Sequence, residues 1–174
     1  MSWIQVPGGK LFRLKYDGGI DFDATPVVAE GLLAKAVSAP AKLTAKTADV
    51  SGRLCAPEVD LADFEVGTLD VAGDAKLKGG RVTDGGTVGG VLTADGCRIK
   101  GQFTVGRGSK LARCAVDTLY VQLADTEPDS KADVSVSDCD ICTIEFLGRQ
   151  GKSRVTKSDI GEELNSSKGK RKAK

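Results

Sequence analysis

Five cysteines and a glycine-dense stretch are the residues whose chemistry comes first into question. Cys139-x-x-Cys142 is the one closely spaced thiol pair. A zinc centre needs four ligands. The chain has no histidine, so the others would have to be Cys97, Cys114 or carboxylates. A dithiol redox role needs C-x-x-C at the start of a helix in a βαβ unit, and no such context surrounds the pair. Cys139 instead falls on an inward phase and Cys142 near a corner, which makes Cys139 a small buried hydrophobe. The absence of histidine also removes the commonest general acid–base. In G-G-R-V-T-D-G-G-T-V-G-G no G-K-S/T follows, and no strand–loop–helix surrounds it, so a phosphate loop is not expected. The expectation is therefore no catalytic residue, no metal, no cofactor and no enzyme. An odd number of thiols with no leader ahead of them points to a reducing, cytoplasmic setting.

What positions these residues is a repeat. From 59 to 105 the chain reads as short units with two apolar or small residues flanking one outward residue. The units begin at Val59, Phe64, Leu69, Ala75, Gly80, Gly86, Leu92, Cys97 and Phe103. They recur every five or six residues. A helix would need 3.6, and a long strand would alternate without interruption. A short strand, a corner and another short strand give this spacing, which is the sequence form of a solenoid. Aromatics are only 5% and glycines number 22, which suits a narrow interior with glycine at corners.

The predicted fold is all-β: a right-handed parallel β-solenoid, three-sided, of about seven to eight coils, with flexible termini. Steps of six favour three sides and steps of five favour four. The repeat is expected over 20–147, entering through Ile20 and Phe22 and continuing by Val28, Leu32, Val37, Leu43, Val50 and Leu54. The segment around Val28 could alternatively be a helix, but Gly31 and the flanking Pro26 and Pro40 argue against it. Beyond 105 the series runs through Leu111, Cys114, Val116, Leu119 and Val121. A polar loop is expected at 124–131. The series resumes at Val134, Val136, Cys139 and Ile141, and ends at Ile144 and Phe146.

Residues 1–19 read as a lead-in holding the single Trp, among Lys10, Arg13 and Lys15. They either cap the first coil or anchor to a membrane surface, with Trp3 and Ile4 as the membrane or partner contacts. Residues 148–174 read as a basic, disordered tail. From 149 onward there are nine Lys/Arg against three Asp/Glu, whereas the whole chain has net charge +1. The body is thus slightly acidic, and nucleic acid is not an expected partner. No run approaches the roughly 20 apolar residues of a membrane-spanning helix.

Several families share parts of this pattern. The glycine stretch resembles calcium-binding nonapeptide repeats but lacks their G-G-x-G-x-D at nine-residue spacing. Hexapeptide acyltransferase solenoids use a catalytic histidine that this chain lacks. A132-D-V-S-V, S137-D-C-D-I and C142-T-I-E-F fit the pentapeptide-repeat rule, but the steps of six elsewhere do not. K-L-K-G-G-R-V, T-V-G-G-V-L-T-A, C-R-I-K-G-Q-F-T-V and C-A-V-D-T-L-Y-V, within 76–121, resemble the bactofilins. That resemblance implies a cytoskeletal scaffold whose subunits polymerise end to end into filaments without nucleotide. The self-association residues would then be Leu11, Phe12, Ile20 and Phe22 at one end and Ile141, Ile144 and Phe146 at the other. The expected partner is the protein itself, with a membrane surface or a second protein at the termini. The alternative is a non-polymerising binding or adaptor module, or a virion structural protein.

Overall fold

The computed structural model describes residues 1–122, 132–147 and 150–165. Nineteen strands and no helix make up these residues, and every strand pairing is parallel. The chain is a parallel β-solenoid of about nine turns. At a rung spacing of ~4.8 Å that is a rod roughly 40 Å long. Among the described residues there is no helix long and apolar enough to cross a membrane.

Each coil makes three short ladders with the next. Leu43 lies beside Val59, Ala48 beside Phe64 and Leu54 beside Leu69. A coil takes 16 residues early in the chain, as from Val27 to Leu43 to Val59 to Ala75. It takes 17 in the middle, as from Leu69 to Gly86 to Phe103. From Leu119 to Ile144 the step is 25, because residues 123–131 intervene. The loop expected at 124–131 lies outside the described residues.

The two-in, one-out reading holds through the central repeat. Val59, Leu61, Phe64, Val66, Leu69, Val71, Ala75, Leu77, Val82, Val88, Leu92, Ala94, Cys97, Ile99, Phe103 and Val105 are all buried. Parallel register then stacks like upon like. One inward column runs Ile4, Ile20, Val37, Leu54, Leu69, Gly86, Phe103, Leu119, Ile144, Glu163. Each large apolar member removed from water contributes about 1.5–3 kcal/mol, which is the source of the rod's stability. The segment 27–38 is strand, not helix.

Three expectations need correction. Val28 is not inward: Val27 is the buried member of the pair and Val28 is 46% exposed, since Val27 takes the register of Leu43. The lead-in is not a cap laid over the rod but its first coil, in which Trp3–Val6 pairs with Gly19–Phe22 and Gly9–Lys15 with Val27–Ala34. The basic tail is likewise shorter than expected. Gln150–Thr156 and Asp159–Asn165 form a last coil beside Ala132–Ser137 and Asp140–Leu147. Among the described residues each end coil has a strand neighbour on one side only, and the apolar pattern fades there.

Corners are made partly as expected. One corner recurs in six successive coils with a left-handed residue at Asp63, Gly79, Gly96, Arg113, Asp138 and Lys157. Only two of these are glycine, so glycine spacing alone does not mark the corner. Gly85 serves a tighter turn, with φ +85° and space where a Cβ would fall 2.2 Å from the Gln102 carbonyl oxygen. Gly85→Ala is therefore expected to cost at least about 1 kcal/mol, read as a lower urea midpoint. An unchanged midpoint would mean that the turn relaxes freely.

Candidate functional site

The end coils are where this rod can meet another molecule. At the first coil, Ile4, Val6, Leu11 and Leu14 occupy inward rows but are only half-buried, because they pack against the core from one side. Phe12 is 83% exposed and Trp3 51%. The Trp3 indole lies flat against Gly19, where a Cβ would approach its ring carbons to 2.3 Å. Trp3 also lines a groove of about 580 Å³ with Met1, Ala36, Val37 and Gly52. Among the described residues, Trp3–Val6 and Gly9–Lys15 each have a strand partner on one side only. The backbone edge at this end is open to pairing.

The expected contact residues divide accordingly. Leu11, Phe12 and Trp3 lie at the first coil and are accessible. Ile4 is accessible but turned inward over Ile20, so it is part of the end face and not an inserting side chain. Ile20 and Phe22 are buried beneath Ile4 and Val6 and form no end surface. Ile141, Ile144 and Phe146 are also buried, one coil short of the end. Substituting Phe146 by arginine would disrupt the core before it touched any contact between copies.

Among the described residues the last coil is 150–165. Val155 and Ile160 continue the apolar columns of Val136 and Ile141, and Val155 is exposed. In the column of Leu119 and Ile144, however, the last position is Glu163. Leu164 stands in the outward row of Tyr120 and Glu145 and is exposed. The in–out pattern is thus inverted in the final strand, with a carboxylate in an interior row. These residues were missed in the sequence, although S-D-I at 158–160 repeats C-D-I at 139–141 and marked the extra coil.

A second feature runs along the side of the rod. Just after the left-handed corner, successive coils place Cys97, Cys114, Cys139 and Ser158 one above another. Each next strand's amide donates back to them: Ala115 N to Cys97 O, Asp140 N to Cys114 O and Asp159 N to Cys139 O, all 2.9 Å. Each side chain donates to the carbonyl two residues before it. Cys97 Sγ reaches Asp95 O at 3.3 Å, Cys114 Sγ reaches Ala112 O at 3.1 Å, Cys139 Sγ reaches Ser137 O at 3.1 Å and Ser158 Oγ reaches Thr156 O at 3.0 Å. The same side chains accept from below, with Cys114 N donating to Cys139 Sγ at 3.3 Å and Cys139 N to Ser158 Oγ at 3.1 Å.

These thiols line the floor of an open groove of about 970 Å³. Arg81, Arg98 and Arg113 lie along one half of it and Asp138, Asp140, Lys157 and Asp159 along the other. Arg81 is paired with Glu65 and Arg113 with Asp95, each at 2.5 Å. The Cys97 thiol is brought down to about 7, chiefly because Cys114 can turn its one S–H from the Ala112 carbonyl to the Cys97 sulfur, helped by nearby backbone amides. Cys114, as the donor and itself desolvated, is pushed up. Cys142 is exposed while Cys139 is buried, so the C-x-x-C pair does not converge, and all five thiols are free. Among the described residues no group of three or more Cys, Asp or Glu is arranged to hold a metal ion.

No protein-family model matches this chain, and neither a curated protein nor a solved structure is similar to it.

Proposed function

We propose that this chain is a structural rod that associates end to end as a scaffold, with its first coil as the adhesive face. The observation that carries the reading is the half-buried row Ile4, Val6, Leu11 and Leu14 beside an unpaired strand edge. An uncovered solenoid end exposes apolar interior and backbone donors together, and a second solenoid end satisfies both. In a head-to-tail junction the columns of one copy would continue in the next. Leu11 would follow Val155 and Lys15 would follow Asp159, an apolar and an opposite-charge match. Ile4 would follow Glu163 and Lys10 would follow Arg154, two poor matches at the same junction. Nothing in this assembly calls for nucleotide, which is the behaviour the bactofilin-like pattern at 76–121 implies.

Negative-stain microscopy of the purified protein without nucleotide is expected to show filaments. Leu11→Asp with Leu14→Asp is expected to abolish them while leaving the circular dichroism of the rod intact, since both side chains are only half-buried. A wild-type protein that stays monomeric at high concentration overturns the scaffold reading.

Glu163 favours a second reading. If the carboxyl-terminal face is closed by that carboxylate, the first coil alone is adhesive and the rod is a one-ended module that pairs or docks without polymerising. Light scattering after size exclusion separates the two, since this reading yields dimers or monomers and never longer species.

A further inference from the structure

The cysteine corner carries an inference independent of the ends. We propose that Cys97 and Cys114 form a peroxide-responsive dithiol, closing a reversible disulfide that staples two neighbouring coils across the groove floor. Three observations converge on it. The two residues occupy the same corner position of adjacent coils, directly before the paired residues Arg98 and Ala115. Rungs lie ~4.8 Å apart, inside the roughly 4.4–6.8 Å range of Cα separations that a disulfide spans. Both thiols border an open groove wide enough for a small oxidant, although their side chains are otherwise buried.

Hydrogen bonds at the groove floor select which thiol reacts first. Arg81 and Arg113 on the Cys97–Cys114 half are paired with Glu65 and Asp95, and Lys157 stands with Asp138, Asp140 and Asp159 near Cys139, so charge alone does not separate the thiols. A thiolate at Cys97 is favoured by the hydrogen bond that the Cys114 thiol can donate to its sulfur and by the backbone amides of Gly79 and Gly80. The step balances with hydrogen peroxide as the two-electron oxidant. The Cys97 thiolate sulfur attacks one peroxide oxygen, the O–O bond breaks, and the leaving hydroxide takes a proton to become water. The Cys97 sulfenic acid so formed is attacked by the Cys114 sulfur, which loses its proton. The S–O bond breaks, a second water leaves and the S–S bond forms. Two thiols are oxidised and one peroxide is reduced to two waters. Closing the Cβ atoms from rung spacing to about 3.8 Å strains the corner, so a dithiol reductant reverses the bridge readily.

The test uses the full chain. It is treated with a small excess of hydrogen peroxide, quenched with N-ethylmaleimide and digested with trypsin without reduction. Arg98, Lys100, Arg107, Lys110 and Arg113 all lie between the two thiols, so a bridge appears as two cross-linked peptides. The expected result is a Cys97–Cys114 cross-link that forms before Cys55 is modified and disappears on reduction. Cys114→Ser is expected to remove the cross-link and leave Cys97 sulfenic acid, trapped by dimedone. That variant keeps the corner, because Ser158 already fills the same position with the same carbonyl contact. Cys97 and Cys114 both recovered as alkylated thiols while Cys55 and Cys142 oxidise would overturn the proposal. So would a Cys114–Cys139 bridge in its place, or an absence of dimedone labelling at Cys97 in Cys114→Ser.

Discussion

Phe103→Ala is expected to destabilise the rod by about 3–5 kcal/mol, at the upper end for truncation of a buried aromatic. Phe103 is fully buried in the long inward column, between Gly86 on one coil and Leu119 on the next. The phenyl ring fills space that Gly86 leaves empty. Gly86 cannot be filled from its own side, because a Cβ there would fall 2.0 Å from the Leu69 carbonyl oxygen. Removing the ring leaves two consecutive rungs without a side chain beyond a methyl. The ladders above and below hold the coils at fixed spacing, so the void cannot close by settling. Urea unfolding reads the loss as a lower midpoint at unchanged slope. Thr104→Ala, one residue on in the outward row, is the control and is expected within about 0.5 kcal/mol of wild type. A loss below about 1 kcal/mol for Phe103→Ala would show that Leu69 and Leu119 move into the gap.

Glu163→Leu is expected to strengthen association at the carboxyl-terminal face by on the order of 100-fold or more. The column Leu119, Ile144, Glu163 ends in a carboxylate where the coils beneath hold leucine and isoleucine. Adding another coil on top would bury that charge without a partner, at a cost of about 3–5 kcal/mol. Each 1.4 kcal/mol corresponds to about tenfold in an equilibrium constant. Leucine restores the apolar column beside Val155 and Ile160. Sedimentation velocity at matched concentration is expected to move material from small to large species, lengthening filaments or creating them from a one-ended rod. An unchanged distribution would mean that this face takes no part in association. The substitution leaves fold stability nearly untouched, because Glu163 is exposed and on the final coil.

Much of this architecture was legible before any coordinates. Strand periodicity, the five- or six-residue step and the inward residues from Val59 to Val105 all follow from side chains that alternate in and out of a narrow interior. Such residues must be apolar on every coil that has a neighbour on both sides, so the signal is strongest in the middle. It misled where two valines adjoin: Val27 and Val28 fit the spacing equally well, and only the ladder to Leu43 and Thr44 decides between them. It also failed at the ends. The first coil spends its large residues on an uncovered face, and the last coil puts Ser153 and Glu163 beside Val134 and Ile144, where the coil beneath is apolar. Both therefore read as tails. The misplaced end surfaces follow from that one error, since Ile20, Phe22, Ile141, Ile144 and Phe146 are terminal only if the coils beyond them are left out.

By itself, then, the chain's pattern of apolar, small and turn-forming residues determined that it would coil as a solenoid and which side chains would fill its centre. Periodicity is a local property, repeated often enough to be read from one sequence. That 1–15 and 150–165 join the coil, and which thiols meet, were decided only by tertiary structure. Cys97 and Cys114 are 17 positions apart in the chain yet neighbours in space, because one full turn separates them. Cys139 and Cys142 are three positions apart yet diverge, because a strand sends one inward and the other out.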